Sequence, residues 1–132
     1  MTGLETHRGH GKTILVVDDE APVLNLAGKI LAGLNYTVLV AQTPEKALDL
    51  VRSHGGDIHL LLCDVVMPEM SGKELAEEIA ELQPNTRILF MSGYRRISTL
   101  HHRVMESGVH FIQKPFTPDA LARKVREAMG SE

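Results

Sequence analysis

The chain has 132 residues, 43% of them apolar and only 4% aromatic, so one domain is expected, with a core of Leu, Val, Ile, Ala and Met. Fourteen Lys and Arg against seventeen Asp and Glu leave a net charge of −3, which argues against the basic stripe of a nucleic-acid binder. No apolar run approaches the roughly 18 residues of a membrane helix, and the single Cys63 cannot form an internal disulfide, so a cytoplasmic protein with no membrane and no nucleic-acid partner is expected.

Residues 1–12 (MTGLETHRGHGK) are polar, with three Gly and two His and no periodicity. They read as a flexible linker rather than a signal peptide, and the domain is expected over 13–130. It opens on Thr13-Ile14-Leu15-Val16-Val17, a run apolar on both faces, the mark of a strand inside a parallel sheet. Leu24, Ala27, Leu31 and Leu34 follow at helical spacing, with Pro22 in the first turn. A strand over Thr37–Ala41 leads to Thr43-Pro44, a helix start ahead of Ala47, Leu48 and Val51. Ile58–Cys63 is the third strand, and Ser71-Gly72-Lys73-Glu74 is a capping box before Leu75, Ile79 and Leu82. Ile88–Met91 is the fourth strand, with a weaker helix through Ile97, Leu100, Val104 and Met105 ending near Gly108. Val109–Ile112 is the fifth, and Thr117-Pro118 starts a helix with Leu121, Val125 and Met129 in one stripe.

Strand and helix alternate five times. That pattern predicts an α/β fold, a five-stranded parallel sheet with helices on both faces. Right-handed crossovers leave few topologies, and strand order 2-1-3-4-5, the flavodoxin-like arrangement, is expected. Ligands of such sheets bind at the carboxyl ends of the strands. Here those ends carry Asp18-Asp19-Glu20, Asp64, Ser92-Gly93 and Lys114-Pro115. Carboxylates crowded at one edge repel each other and recruit a cation. Oxygen ligands with few carboxylates suit Mg2+. A carboxylate can itself be a nucleophile toward phosphorus, while Lys114 and the Ser92 hydroxyl can each answer a phosphoryl oxygen. The parts make an acyl-phosphate site.

The blocks LVVDDE, LLLCDVVMPEMSG, LFMSGY and FIQKPF, in that order at the strand ends, resemble the signature of response-regulator receiver domains. The likeness runs from about Thr13 to Met129. It implies that Asp64 is the phosphoacceptor, and that Asp19, Asp64 and the backbone carbonyl of Val66 ligate Mg2+ directly, with Asp18 acting through water. It implies further that Ser92 and Lys114 contact the phosphoryl group, and that the Lys114-Pro115 bond is cis. The resemblance also implies that on phosphorylation Ser92 moves toward the phosphoryl group and Phe111 turns inward, so that the face made by the fourth helix, fifth strand and fifth helix changes for a downstream partner. Many members carry Tyr where this chain has Phe111, which offers no hydroxyl. The implied donor is a histidine kinase or phosphotransfer domain.

Plainer readings compete at several positions. Asp18 and Asp19 could be helix-cap acids, but Asp64, Ser92 and Lys114 together outweigh that. Glu20 reads as first-turn helix charge, Cys63 as a small buried side chain, and the seven His as surface residues without metal-ligand spacing. Arg95, Arg96 and Arg103 read as a solvated face, and the methionines as gap-fillers. A Mg2+-dependent phosphatase with an Asp nucleophile would want a second acid two residues on, where Val66 stands. A phosphorylation-independent interaction domain would lack Asp64, Lys114 or the acidic pair. With no output domain expected after Met129, the chain reads as a stand-alone regulator or the receiver of a hybrid histidine kinase, phosphorylating only itself and not an enzyme in isolation.

Overall fold

The computed structural model describes residues 11–93 and 110–130. Its strands are β1 (Thr13–Val17), β2 (Thr37–Ala41), β3 (Leu60–Asp64), β4 (Arg87–Gly93) and β5 (His110–Lys114). Its helices are α1 (Ala21–Gly33), α2 (Pro44–His54), α3 (Gly72–Leu82) and α4 (Pro118–Ala128). The five strands form one parallel sheet in the order β2-β1-β3-β4-β5. The helix expected through Ile97–Met105 falls outside the described residues.

The continuous apolar runs explain why both faces of this sheet are covered. Side chains alternate along a strand. Ile14, Val16, Leu60 and Leu62 pack with Leu24, Ala27 and Leu31 of α1 and Leu121 and Val125 of α4. Leu15, Val17, Leu61 and Cys63 point the other way, onto Ala47, Leu48 and Val51 of α2 and Leu75 and Ile79 of α3. β1 and β3 are therefore buried throughout, while the edge strand β2 is partly exposed.

The helix starts are set locally. Thr43 accepts the Lys46 N–H at 3.1 Å and Thr117 accepts the Ala120 N–H at 3.1 Å, each ahead of a Pro in the first turn. The capping box at α3 closes in both directions: Ser71 Oγ accepts the Glu74 N–H at 3.1 Å, and Glu74 Oε1 accepts the Ser71 N–H at 3.0 Å.

Some strand bounds move from the sequence expectation. Ile58 lies ahead of β3, buried but held by side chains: its N–H donates to Gln83 Oε1, and its carbonyl accepts from Thr86 Oγ1. β4 runs on through Ser92 and Gly93 because these pair in register with Gln113 and Lys114 of β5. At the other end, Gly11 and Lys12 already join the fold through Asn35 and Thr37, just ahead of the expected start at Thr13.

Candidate functional site

Because every strand is parallel, the carboxyl ends of β1, β3, β4 and β5 meet at one edge of the sheet. Val17 pairs with Cys63, Asp64 with Met91, and Gly93 with Lys114, so the polar residues that close these strands stand level with one another. Asp18, Asp64, Ser92 and Lys114 are all buried.

Lys114 is the centre of the arrangement. Its Nζ lies 3.0 Å from Asp18 Oδ2, 3.0 Å from Glu20 Oε1 and 3.2 Å from Asp64 Oδ2. Burial alone would lower the ammonium's pKa, but the charges of Asp64 and Asp18 and the bonds to Asp18 and Glu20 outweigh it and push it up. Lys114 therefore remains a cation. Asp18 moves the other way from an ordinary carboxylate: burial raises it from 3.8 to about 6, with the Asp64 charge adding to the rise. The Glu20 N–H and Lys114 oppose that rise without cancelling it. Asp18 Oδ1 accepts the Glu20 N–H at 2.8 Å, which ties the first carboxylate to the backbone at the start of α1.

Asp19 is differently placed. Its carbonyl accepts from Gln42 Nε2 at 3.1 Å, while its side-chain Oδ1 is buried without a hydrogen-bond partner among the described residues. A buried carboxylate oxygen left in that condition is costly. Asp18, Glu20 and Asp64 bring three carboxylates to the ammonium of Lys114. The gathered carboxylates and the Asp19 oxygen without a partner among the described residues both fit a hard divalent cation such as Mg2+, and carboxylates of Asp18, Glu20 and Asp64 already lie within 4.8 Å of one another.

The remaining residues frame Asp64. The Val66 N–H donates to Asp64 Oδ1 at 3.4 Å. Ser92 stands one residue beyond Met91, the register partner of Asp64, and its hydroxyl donates to the Gly93 carbonyl at 3.3 Å. Phe111 is half-buried against the core on the α2 and α3 side of the sheet. The Lys114-Pro115 peptide bond is cis. Cys63 is fully buried, and burial, reinforced by the charge of Asp64, pushes its thiol well up, so it packs rather than reacts.

Two residues at the site have roles the sequence reading did not give them. Glu20 is not first-turn helix charge. It occupies the N-cap of α1, its side chain makes no capping bond, and its carboxylate goes to Lys114 instead. The signal was the third acid after β1, but its partner lies 94 residues away and only the sheet order brings them together. Gly72 was legible only as part of a capping box. A Cβ at Gly72 would collide with the carbonyl oxygen of Asp64, and its N–H donates to Val65 at 2.7 Å. The start of α3 thus presses directly on the backbone of Asp64.

A parallel five-stranded sheet with this acidic edge, one buried Lys and a buried Ser defines a receiver domain of two-component signalling. A family model described as the response regulator receiver domain matches residues 14–126, and the chain belongs to that family. It is similar to the sensor kinase CckA of Brucella abortus, 32% identical over 117 residues, covering 89% of this chain and 12% of that protein. It is also similar to the transcriptional regulatory protein ZraR of Escherichia coli K12, 33% identical over 116 residues, covering 88% of this chain and 26% of that protein. The chain therefore spans about a quarter or less of these two relatives. Among solved structures, a CheY-like response regulator receiver domain from Methanospirillum hungatei superposes with a TM-score of 0.77 at 30% identity, covering 91% of this chain and 94% of that one.

Proposed function

We propose that Asp64 is the phosphoacceptor of this receiver domain and takes its phosphoryl group from a phosphohistidine on a histidine kinase or phosphotransfer domain. The observation that carries this reading is the meeting of Asp64 with Lys114 and Asp18 at one buried sheet edge. The Asp64 carboxylate attacks phosphorus. A P–O bond forms as the P–N bond to the donor imidazole breaks, and the imidazole leaves as the neutral ring after taking a proton. Lys114 donates to one phosphoryl oxygen and Ser92, turning from the Gly93 carbonyl, to another. Asp18, Asp19, Asp64 and the Val66 carbonyl would hold Mg2+, which neutralises phosphoryl charge when bound.

Signalling follows from the same parts. Movement of Ser92 frees space for Phe111 to turn inward from its half-buried position, altering the face that includes β5 and α4. That face meets the downstream partner. Residues 13–130 are the receiver unit, with 1–12 its linker, working in the cytoplasm. Val66 lacks the acid a phosphatase would use two residues after its nucleophile, so the domain turns over only its own phosphoryl group. The likeness to CckA supports a parent in which this receiver belongs to a hybrid histidine kinase.

The test is incubation with phosphoramidate and Mg2+, read by intact mass, on wild type and Asp64→Ala. Gain of one phosphoryl group by wild type alone, abolished by chelation, is expected. A wild type that stays unmodified while folded and supplied with Mg2+ would overturn the reading.

A further inference from the structure

Lys114 has three N–H donors on its ammonium, and three carboxylates answer them: Asp18, Glu20 and Asp64. A phosphoryl oxygen arriving at Asp64 therefore meets a lysine whose donors are already engaged. The three partners are not equally easy to release. The side chains of Asp18 and Asp64 are buried, where pulling a carboxylate away from a cation is costly. The Glu20 side chain is 48% exposed and can exchange Lys114 for water. Its N–H is held by Asp18 Oδ1, and its side chain makes no N-cap bond at the start of α1 but reaches Lys114.

We infer that Glu20 is a positioning residue, a releasable clasp that holds Lys114 at the resting site and competes with the incoming phosphoryl group for its ammonium. Glu20 thus sets how readily Lys114 transfers to the phosphoryl oxygen. Weakening the clasp speeds phosphoryl uptake from an anionic donor, by about two- to fivefold for a half-exposed ion pair. The inference rests on Asp64 being the phosphoacceptor.

The experiment compares wild type, Glu20→Gln, Glu20→Asp and Asp64→Ala. All are incubated with phosphoramidate at saturating Mg2+, and uptake is followed by intact mass at a temperature where circular dichroism shows each to be folded. Glu20→Asp keeps the charge but shortens the side chain by one methylene, so it separates reach from repulsion. Both Glu20 variants are expected to take up the phosphoryl group faster than wild type. In the metal-free protein, the Lys114 Nζ resonance in ¹⁵N spectra is expected to move in both. Glu20→Gln faster with Glu20→Asp at the wild-type rate would reduce the effect to charge repulsion and overturn the clasp. Unchanged rates in both would also overturn it, while leaving Asp64 as acceptor intact. No uptake by wild type would overturn the phosphoacceptor reading and the clasp with it.

Discussion

The Nζ of Lys114 lies 3.2 Å from Oδ2 of Asp64, although β4 stands between the strands that carry them. Such a reach is possible because both residues close their strands at the same edge, where a long side chain can cross the end of the intervening strand. Lys114 is therefore a structural counter-ion to the buried carboxylates of Asp18 and Asp64. Lys114→Met is expected to lower metal-free stability by roughly 3 kcal/mol, because two buried carboxylates lose their cation. Urea unfolding with and without Mg2+ checks this, and added Mg2+ is expected to recover part of the loss.

Asp19 predicts the opposite sign. Its buried Oδ1 has no hydrogen-bond partner among the described residues, so its charge is a cost to the metal-free fold. Asp19→Asn is expected to raise metal-free stability by about 1 kcal/mol and to abolish most of the stabilisation that Mg2+ gives wild type. Thermal melts across a Mg2+ titration measure both effects. A variant less stable than wild type in chelator, yet still stabilised by Mg2+ like wild type, would contradict the assignment of this oxygen to the cation.

Asp18 gives a pH signature. Its folded pKa of about 6 lies above the ordinary 3.8, so the folded state holds this proton more tightly than the unfolded chain. The contribution to stability is complete below about 3.8 and lost as pH rises through about 6. Metal-free wild type should therefore lose stability between pH 4 and pH 6 relative to Asp18→Asn, which has no such proton. Chemical unfolding of the pair in chelator tests this, and parallel curves would contradict it.

Gly72 and Ser71 are adjacent but should separate fold from site. Ser71→Ala removes one half of the capping box and is expected to cost about 1 kcal/mol, with phosphoryl uptake unchanged. Gly72→Ala puts a methyl group against the Asp64 carbonyl. It is expected to cost roughly 2–3 kcal/mol and also to slow uptake, since relief of the clash shifts the backbone of Asp64. Stability and intact-mass time courses on the two variants would show the contrast.

Much of this molecule was legible in the chain for identifiable reasons. β1 and β3 are buried on both faces, so their apolar runs were unbroken and their carboxyl ends were easy to mark. Thr43, Ser71 and Thr117 act through bonds three residues long, and their caps were readable as such. Contacts that depend on sheet order were not. The Glu20 to Lys114 pair joins the start of α1, just after β1, to the end of β5 across two strands, and Gly72 is required by a backbone oxygen eight positions earlier that no local pattern reveals. The extension of β4 to Gly93 was likewise invisible, because turn-forming Ser92-Gly93 enters the strand only through pairing with β5.

Val66 bears on how long the signal lasts. Neither Val66 nor Tyr94, two residues beyond Asp64 and Ser92, is an acid or amide able to orient an attacking water. The phosphorylated domain is expected to persist for minutes or longer, and Val66→Asn to shorten that time. Decay of the phosphorylated mass after removal of the donor gives both lifetimes. A wild-type lifetime of seconds would refute the expectation.

The identity of the modified atom tests the central claim most directly. An acyl phosphate on a carboxylate is reduced by borohydride to the corresponding alcohol, so a phosphorylated Asp becomes homoserine and can be located by peptide mass spectrometry. After phosphoramidate and Mg2+, homoserine is predicted at position 64, absent when Mg2+ is chelated. Homoserine at Asp18 or Asp19 instead, or a phosphoryl group on His or Ser that borohydride leaves untouched, would contradict the assignment of Asp64.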